Sequence, residues 1–388
     1  TISKQITPIL QNTAQLSLYP MNILLTVGTL DALHGSVMHV LELANYLTNN
    51  HSVTILTSYL SAKIKCHIDS RVQIYTLEEL PENLHYDLIW SYHFPILGYA
   101  LKHRTTSTKL IAGSLSSVEP LESFPVFWPL CSKLQCISPY AAECHSKRYS
   151  IPLSRISILE NIVPLSYLSS FTNVRCRASR NSAYPSHIAV VSNHPPKELK
   201  DLANVLKGKC KVSYYGGRRS VFITPQLLSK HDVIVSIGKT IQYALVAGIP
   251  AFNYDHFGGD GYITLENLNF ERFYHFTGKP NFRKLTAYEM ATEIFEGYRQ
   301  ITPNQLEKLQ AIAKDSFLIS RQVDKFLLDL QDTPDFAFKQ LNEYRLYLDQ
   351  CELHAKLMSS FHKLRTKKKL LGSIKHLILK IKAKTNFT

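Results

Sequence analysis

The sequence predicts an α/β protein built from two doubly wound parallel sheets in tandem, followed by C-terminal helices. Three observations support this prediction. Short apolar runs alternate with helical or loop segments over 21–159, a polar, serine-rich stretch interrupts them at 165–186, and the alternation resumes over 187–254. At 388 residues the chain is long enough for two domains of ordinary size. Its hydrophobic content of 45% and charged content of 19% are typical of a globular protein.

The first half begins with a strand at 21–27 (MNILLTV), a glycine-containing loop at 28–35 and an amphipathic helix. That helix carries apolar residues at helical spacing, namely Val37, Val40, Leu41, Ala44 and Leu47. The further strands are predicted at 52–57, 72–77, 87–91, 109–113, 134–138 and 155–159. Apolar strands joined by crossovers indicate a parallel sheet covered on both faces. Ligands of such a sheet bind at the carboxyl ends of its strands.

The second half repeats this pattern, and helices then dominate to the end of the chain. Strands are predicted at 187–192, 211–215, 232–236 and 250–254, with helices at 197–206, 224–230 and 240–247. The predicted divisions are an N-terminal extension (1–20), a first Rossmann-like domain (21–170), a second Rossmann-like domain (171–300), C-terminal helices (301–360) and a basic amphipathic tail (361–388).

Charge and cysteine usage narrow the class of protein. Nine Lys or Arg residues and no acid lie between 361 and 384, and removing them from the net charge of +14 leaves +5. The positive charge therefore indicates where the protein docks, through its tail, more than it indicates the kind of substrate. The seven cysteines are scattered without a C-x-x-C pair, which is typical of reduced thiols in a cytoplasmic protein. No metal-ligand spacing is present, so we expect no metal site.

A Gly-Lys-Thr triplet at 238–240 suggests a phosphate site. A phosphate loop of the NTPase kind needs a glycine at 233, where this chain has valine at the start of a buried strand run. The remaining strand, glycine turn and helix still present backbone N–H groups to an anion. We therefore expect a diphosphate at Gly238, Lys239 and Thr240, with Gln242 or Tyr243 bonding a ribose hydroxyl. The alternatives are that Gly238 forms only a turn beside a solvated Lys239, and that Gln242 and Tyr243 only pack in the core.

The remaining candidate residues follow predicted strands. His93 ends an apolar strand and is the candidate catalytic residue. Gly35 opens the first helix, where backbone can approach a phosphate. Further ligand contacts are expected after two strands of the second half, at Ser192, Asn193, Gly216, Arg218 and Arg219. Asp255, His256, Gly258 and Gly259 are interpreted as a flexible polar loop that a ligand can approach closely.

Four segments together resemble the GT-B nucleotide-sugar glycosyltransferases, particularly the retaining family that builds bacterial surface polysaccharides. The segments are MNILLTVGTLDALHGSVMHVLELANYLTNNHSVTILT (21–57), YDLIWSYHFP (86–95), ISPYAAECHSKRYSIPLSRISILENIV (137–163) and VIVSIGKTIQYALVAGIPAFNYD (233–255). The resemblance covers about 21–300 and implies two Rossmann-like domains facing a cleft, an acceptor domain at 21–170 and a nucleotide-sugar domain at 171–300. The ligand contacts predicted in the second half would then belong to the nucleotide-sugar donor. It also implies transfer of a sugar, of hexosyltransferase type, from a nucleotide diphosphate sugar to a surface-polysaccharide or lipid-linked acceptor. His93 would face the donor sugar, and no cofactor or metal would be needed.

The sequence departs from that family at two places. The family's paired glutamates, eight residues apart, correspond to Val235 and Tyr243, and its diphosphate-binding Arg and Lys are not evident after SNHPPKEL (192–199). The resemblance therefore does not imply that this protein retains the anomeric configuration of the sugar. A nonhydrolysing nucleotide-sugar epimerase and a non-catalytic partner protein of the same architecture remain alternatives. Nucleic acid is not expected as a partner, because the basic tail lacks interleaved aromatic residues.

The tail predicts a membrane contact. Apolar residues recur at helical spacing among its lysines, at Leu370, Ile374, Leu377, Ile378 and Ile381. A basic amphipathic helix of this kind lies in the interface of an anionic membrane without spanning it. We expect 361–384 to dock a cytoplasmic enzyme on the inner membrane face. The alternative is packing of its apolar face on the protein body.

Overall fold

The computed structural model describes residues 19–169, 184–217 and 221–385. It contains two β-sheets, each covered by helices. The strands of the first sheet are β1 (Asn22–Val27), β2 (Ser52–Thr57), β3 (Gln73–Thr76), β4 (His85–Ser91), β5 (Thr106–Ser114), β6 (Lys133–Cys136) and β7 (Ile156–Ile158). The strands of the second sheet are β8 (His187–Val191), β9 (Lys211–Tyr215), β10 (Val233–Ser236), β11 (Ala251–Asp255) and β12 (Gly258–Tyr262).

Helices connect the strands and close the chain. Those of the first half are α1 (Gly35–Leu47), α2 (Ala62–Lys65), α3 (Phe94–Lys102), α4 (Pro139–Tyr149) and α5 (Ser166–Ser169). Those of the second half are α6 (Lys197–Val205), α7 (Pro225–Leu228), α8 (Lys239–Val246), α9 (Leu268–Phe273) and α10 (Ala287–Gln300). The last three are α11 (Pro303–Phe317), α12 (Ile319–Gln331) and α13 (Arg345–Thr385).

Both sheets contain a point where the strand order reverses. The first sheet is wholly parallel in the order β3-β2-β1-β4-β5-β6-β7, so the chain switches sides between β1 and β4. The second sheet has the order β12-β11-β10-β8-β9 and switches between β8 and β10. Crevices at such switch points, outside the carboxyl ends of the strands, are where doubly wound sheets bind ligands.

The central strands of the first sheet are largely apolar because helices cover both faces. Leu24 and Ile89 face one buried cluster, whereas Leu25 and Trp90 face the other. All four side chains are fully buried. Burying an aliphatic side chain of this size contributes about 1.5–3 kcal/mol, so these runs strongly favour the sheet.

The segment after β11 forms a strand, which corrects the prediction of a flexible loop over Asp255, His256, Gly258 and Gly259. Asp255 is the last residue of β11, and Gly258–Tyr262 is the antiparallel edge strand β12. A Cβ on Gly258 would lie 2.2 Å from the carbonyl oxygen of Arg283, and one on Gly259 would lie 1.9 Å from that of Asn253. These glycines therefore permit close backbone packing.

The C-terminal helices return to the first half of the chain. Phe326 of α12 stacks on Trp90 at 5.3 Å between ring centroids. Helix α13 packs on α3, where Gly98 lies directly against Cys351. The two chain crossings between the halves run side by side, since the N–H of Val163 donates to the carbonyl of Phe317 at 2.8 Å.

The predicted fold class is confirmed: a parallel seven-stranded sheet, a second sheet and C-terminal helices are all present. Helix α13 is continuous from Arg345 to Thr385 and so crosses the predicted tail boundary at 361. Most of the predicted interdomain stretch, 170–183, lies outside the described residues. The side chains beyond Lys368, including the apolar face predicted for the tail, also lie outside them.

Candidate functional site

A cavity of about 630 Å³ lies between the two halves of the molecule, where the switch points of both sheets meet. Residues following β1, β4 and β5 form one wall, and residues following β8, β9, β10 and β11 form the other. The predicted site residues that line it are Gly35, His93, Ser192, Asn193, Gly216, Gly238, Lys239, Thr240, Tyr243, Asp255 and His256. Most of the candidates predicted from local sequence patterns therefore lie together in one cavity.

Three predicted candidates do not line the cavity, and two more fall outside the described residues. Gly258 and Gly259 belong to β12 and do not line the cavity. Gln242 is fully buried and, among the described residues, neither atom of its amide has a hydrogen-bond partner. Arg218 and Arg219 lie outside the described residues.

A glycine turn brings the N-terminus of α8 to the cavity. Gly238 has φ +57° and ψ −130°, which residues with a Cβ rarely adopt. Its N–H donates to the carbonyl of Phe276 at 2.9 Å, and this bond holds the turn in place. Gly238, Lys239 and Thr240 all line the cavity. The unpaired N–H groups of the first helical turn and the helix dipole favour an anion here.

Lys239 does not have the free ammonium that the sequence predicts. Its Nζ lies 2.7 Å from Oε2 of Glu42 and donates to the carbonyl of Ile162 at 2.9 Å. The side chains of Lys239 and Glu42 are only 7% and 4% exposed, respectively. Burial lowers the pKa of Lys239, and Glu42 opposes that shift. The cation therefore joins the halves of the molecule instead of extending toward a phosphate.

Tyr243 takes part in the same buried group. Its hydroxyl donates to Oε1 of Glu42, and its ring stacks on Tyr167 at 4.5 Å between centroids. Burial raises the pKa of the Tyr243 hydroxyl, and Glu42 adds to the shift. Tyr243 lines the cavity, but its hydroxyl already donates its proton to Glu42. That proton is therefore not available for the predicted hydrogen bond to a ribose.

His93 caps α3 just beyond β4 and is buried at the cavity wall. Its Nδ1 accepts a hydrogen bond from the N–H of Gly28 at 2.6 Å. Its Nε2 lies 3.8 Å from Oε1 of Glu122, a residue that site prediction from the sequence missed. Glu122 follows β5 in a 3₁₀ turn, Pro120–Glu122, so the rule that ligands gather at strand ends could have found it.

Two further side chains complete the opposite wall. Oδ1 of Asp255 accepts from the hydroxyl of Ser192 at 2.8 Å and from the N–H of His256 at 2.8 Å. Burial raises the pKa of Asp255. His275, which site prediction also missed, has Nε2 3.1 Å from the Asn161 amide. Burial lowers the pKa of His275 to about 4, so this ring is neutral at pH 7.

Within residues 19–169, 184–217 and 221–385, no cluster of three His, Cys, Asp or Glu side chains could hold a metal ion. Across the same part of the chain, no helix combines the length and apolar character that a membrane crossing requires.

Comparison with known proteins identifies the fold. No family model and no curated protein sequence matches the chain. The structure is similar to that of HepE from Anabaena in complex with UDP and glucose, with 14% identity, a TM-score of 0.51 and coverage of 80% of this chain and 100% of that one. It is also similar to a glycosyltransferase from Rickettsia africae, with 14% identity, a TM-score of 0.54 and coverage of 81% and 98%. These likenesses show that the chain has the GT-B fold of nucleotide-sugar glycosyltransferases.

Proposed function

We propose that this GT-B protein is a glycosyltransferase of hexosyltransferase type, which moves a sugar from a nucleotide diphosphate sugar to a surface-polysaccharide or lipid-linked acceptor. The observation that carries the proposal is the cavity where both switch points meet, with a glycine turn and helix N-terminus on one wall and His93 on the other. HepE, whose fold is similar, was crystallised with UDP and glucose, which supports a nucleoside diphosphate as the donor's leaving group.

The donor diphosphate would lie against the ends of β8 and β10. Lys239 and Thr240 would present the backbone N–H groups of the first helical turn there, and Ser192 lines the same wall. Because Lys239 is held by Glu42, the positive potential at this place comes mainly from the helix terminus. Stabilising the departing diphosphate and holding both substrates in position would account for the catalysis.

The acceptor would enter beside α13. Met358 of this helix lines the cavity, and a Cβ on Gly28 would lie 2.9 Å from its Cε. Large apolar side chains on the same helix are 60–79% exposed, and we call them the apolar stripe: Leu346, Leu353, Leu357, Phe361 and Leu364. At 3.6 residues per turn they fall within an arc of about 80° over a length of about 27 Å.

Positive charge surrounds the lower part of the apolar stripe. Arg365 and Lys368 are exposed there, and they belong to the nine cations between 361 and 384. An apolar face flanked by cations fits the headgroup region of an anionic membrane. Docking through the apolar stripe and the tail would bring the cavity to a lipid-linked acceptor, with the protein peripheral on the cytoplasmic membrane face.

Nucleotide binding and turnover test the donor part of the proposal. Thermal shift with UDP, GDP, dTDP and ADP and their sugar derivatives should give a rise in melting temperature for one nucleotide family. Release of the nucleoside diphosphate should follow when the matching sugar nucleotide and a membrane extract are supplied. Formation of an isomeric sugar nucleotide would instead indicate an epimerase. Binding without turnover would indicate a non-catalytic partner protein.

Vesicle co-sedimentation tests the membrane part. The triple variant Leu353→Glu, Leu357→Glu, Phe361→Glu should lose binding to vesicles containing anionic phospholipid, because it places three carboxylates on the apolar stripe. The control is Tyr288→Glu, since Tyr288 is 74% exposed on α10. Equal sedimentation of the triple variant and the control would refute docking through this face, as would equal binding of neutral and anionic vesicles.

A further inference from the structure

His93 and Glu122 lie near each other beyond the ends of two neighbouring strands. His93 follows β4, and Glu122 is in the 3₁₀ turn that follows β5; these strands are adjacent and parallel in the first sheet. Both side chains line the cavity, and each is more than nine-tenths buried. Backbone N–H groups directly beyond β1 and β5, those of Gly28 and Leu115, hold the two side chains, so their geometry is defined before any substrate arrives.

The bond from Gly28 sets the chemical role of His93. Because Nδ1 accepts the Gly28 N–H at 2.6 Å, the proton of the neutral ring must be on Nε2. Gly28 also makes room for the ring, since a Cβ there would lie 3.0 Å from the same Nδ1. The cavity-facing nitrogen of His93 is therefore a hydrogen-bond donor and has no lone pair to accept a proton.

Glu122 offers the complementary group. Its Oε2 accepts from the N–H of Leu115 at 2.6 Å, which fixes the carboxylate. Its Oε1 lies 3.8 Å from Nε2 of His93, too far for a direct hydrogen bond. A hydroxyl group that approaches both atoms can accept from His93 and donate to Glu122 at the same time.

We infer that Glu122 is the general base of the transfer reaction and that His93 orients the acceptor hydroxyl toward it; this inference rests on the proposed glycosyltransferase function. The acceptor O–H bond breaks and its proton passes to Oε1 of Glu122. The electron pair on the acceptor oxygen forms the bond to the anomeric carbon. The bond from that carbon to the diphosphate breaks, and its electrons leave with the nucleoside diphosphate. Glu122 then loses its proton to solvent.

The proposed step has a stereochemical consequence. The acceptor oxygen forms its bond to the anomeric carbon as the bond to the diphosphate breaks, so it must attack from the side away from the leaving group. Such a single displacement inverts the configuration at that carbon. The proposed diphosphate site at the start of α8 and Glu122 line the same cavity, on the second and first halves of the molecule, respectively.

The experiment measures nucleoside diphosphate release from the UDP-, GDP-, dTDP- and ADP-linked glucoses and galactoses, with water as acceptor. Glu122→Gln keeps the size of the side chain and can keep the Leu115 bond, but it cannot take a proton. We expect kcat to fall about 10²–10⁴-fold, the usual contribution of a general base, while the Kd of the nucleoside diphosphate stays unchanged. Formate should restore part of the rate of Glu122→Ala. The control is Glu82→Gln, because Glu82 is an exposed carboxylate of the same half.

Three readouts separate catalysis from a structural role. The melting temperature shows whether Glu122→Gln is folded, and Glu122→Asp, which keeps a carboxylate, should be faster than Glu122→Gln. Proton NMR of the wild-type product, recorded before the released sugar mutarotates, should show the inverted anomer. A Glu122→Gln rate equal to that of the wild type, or a retained anomer, would overturn the inference while leaving the transferase proposal standing. If the wild type neither binds nor cleaves any sugar nucleotide, the proposed function fails and this inference fails with it.

Discussion

Replacing Lys239 by methionine should destabilise the protein strongly. The ammonium of Lys239 lies 2.7 Å from Glu42, and the two residues belong to helices of different halves. Methionine keeps most of the side-chain volume and removes only the charge and the donors. The carboxylate of Glu42 would then remain buried with the hydrogen bond from the Tyr243 hydroxyl but without its cation, and the carbonyl of Ile162 would lose a donor.

The size of the effect follows from burial. Side chains that are 7% and 4% exposed lose nearly all contact with water, so a charge left alone there is not solvated. Removing one partner of such a buried pair costs about 3–5 kcal/mol of unfolding free energy. The double variant Glu42→Gln, Lys239→Met contains no buried charge at this place, so it should recover most of that loss.

The effect should also depend on pH. Burial raises the pKa of Glu42, whereas Lys239 lowers it, so removing Lys239 raises it further. A carboxyl group whose folded pKa lies above its unfolded value stabilises the protein at low pH and loses that stabilisation as the pH rises through the folded pKa. The deficit of Lys239→Met should therefore be larger at pH 8 than at pH 5.

Urea unfolding of the four proteins of this double-mutant cycle, at pH 5 and pH 8, measures these quantities. Lys200→Met serves as the control, because Lys200 is an exposed lysine on α6. A loss for Lys239→Met no larger than for Lys200→Met would refute the buried pair. The buried pair would also be refuted if the losses of unfolding free energy of the two single variants simply added in the double variant.

Three further results are expected. Burial and Asp260 raise the pKa of Glu271 from 4.5 to about 7, against the hydrogen bond from Asn253, so wild-type stability should fall as the pH rises from 4.5 through 7, and urea unfolding of Glu271→Gln should show a weaker fall. Gly216→Ala should cost at least about 1–3 kcal/mol in the same assay, because Gly216 has φ +122° and its Cβ would lie 2.0 Å from the carbonyl oxygen of Ser192. His93→Ala should lower turnover while calorimetry shows nearly unchanged nucleotide affinity, and a variant that turns over normally would return His93 to a structural role.

The fold was predictable because the central strands of both sheets are buried on both faces. Each predicted strand from 21–27 to 250–254 corresponds to an observed strand within a few residues at either end. The strand β12 was missed because GGDGY contains neither an apolar alternation nor β-branched residues. Its position depends on contacts of its glycines with the backbones of Asn253 and Arg283, which no local pattern reveals.

The candidate site was predictable only where its geometry is local. The turn at Gly238 follows from a strand, a glycine and a helix start within one short segment. The partner of Lys239 did not follow, because Glu42 belongs to the first helix and meets Lys239 only when the two halves are packed together. Glu122 was missed for a different reason: the strand-end rule was applied to the strand before His93 and not to its neighbour β5.

Calorimetric titration of nucleoside diphosphates and monophosphates into the wild type and Gly238→Ala tests the central claim most directly. At Gly238, φ +57° and ψ −130° make any Cβ strained, so alanine should disturb the turn that presents the helix N-terminus. The account predicts that one nucleoside diphosphate binds at least about tenfold more tightly than its monophosphate, a difference of about 1.4 kcal/mol, and that Gly238→Ala removes this preference. Equal affinity for the two nucleotides in the wild type, or a preference that survives in Gly238→Ala, would contradict a diphosphate site at this turn.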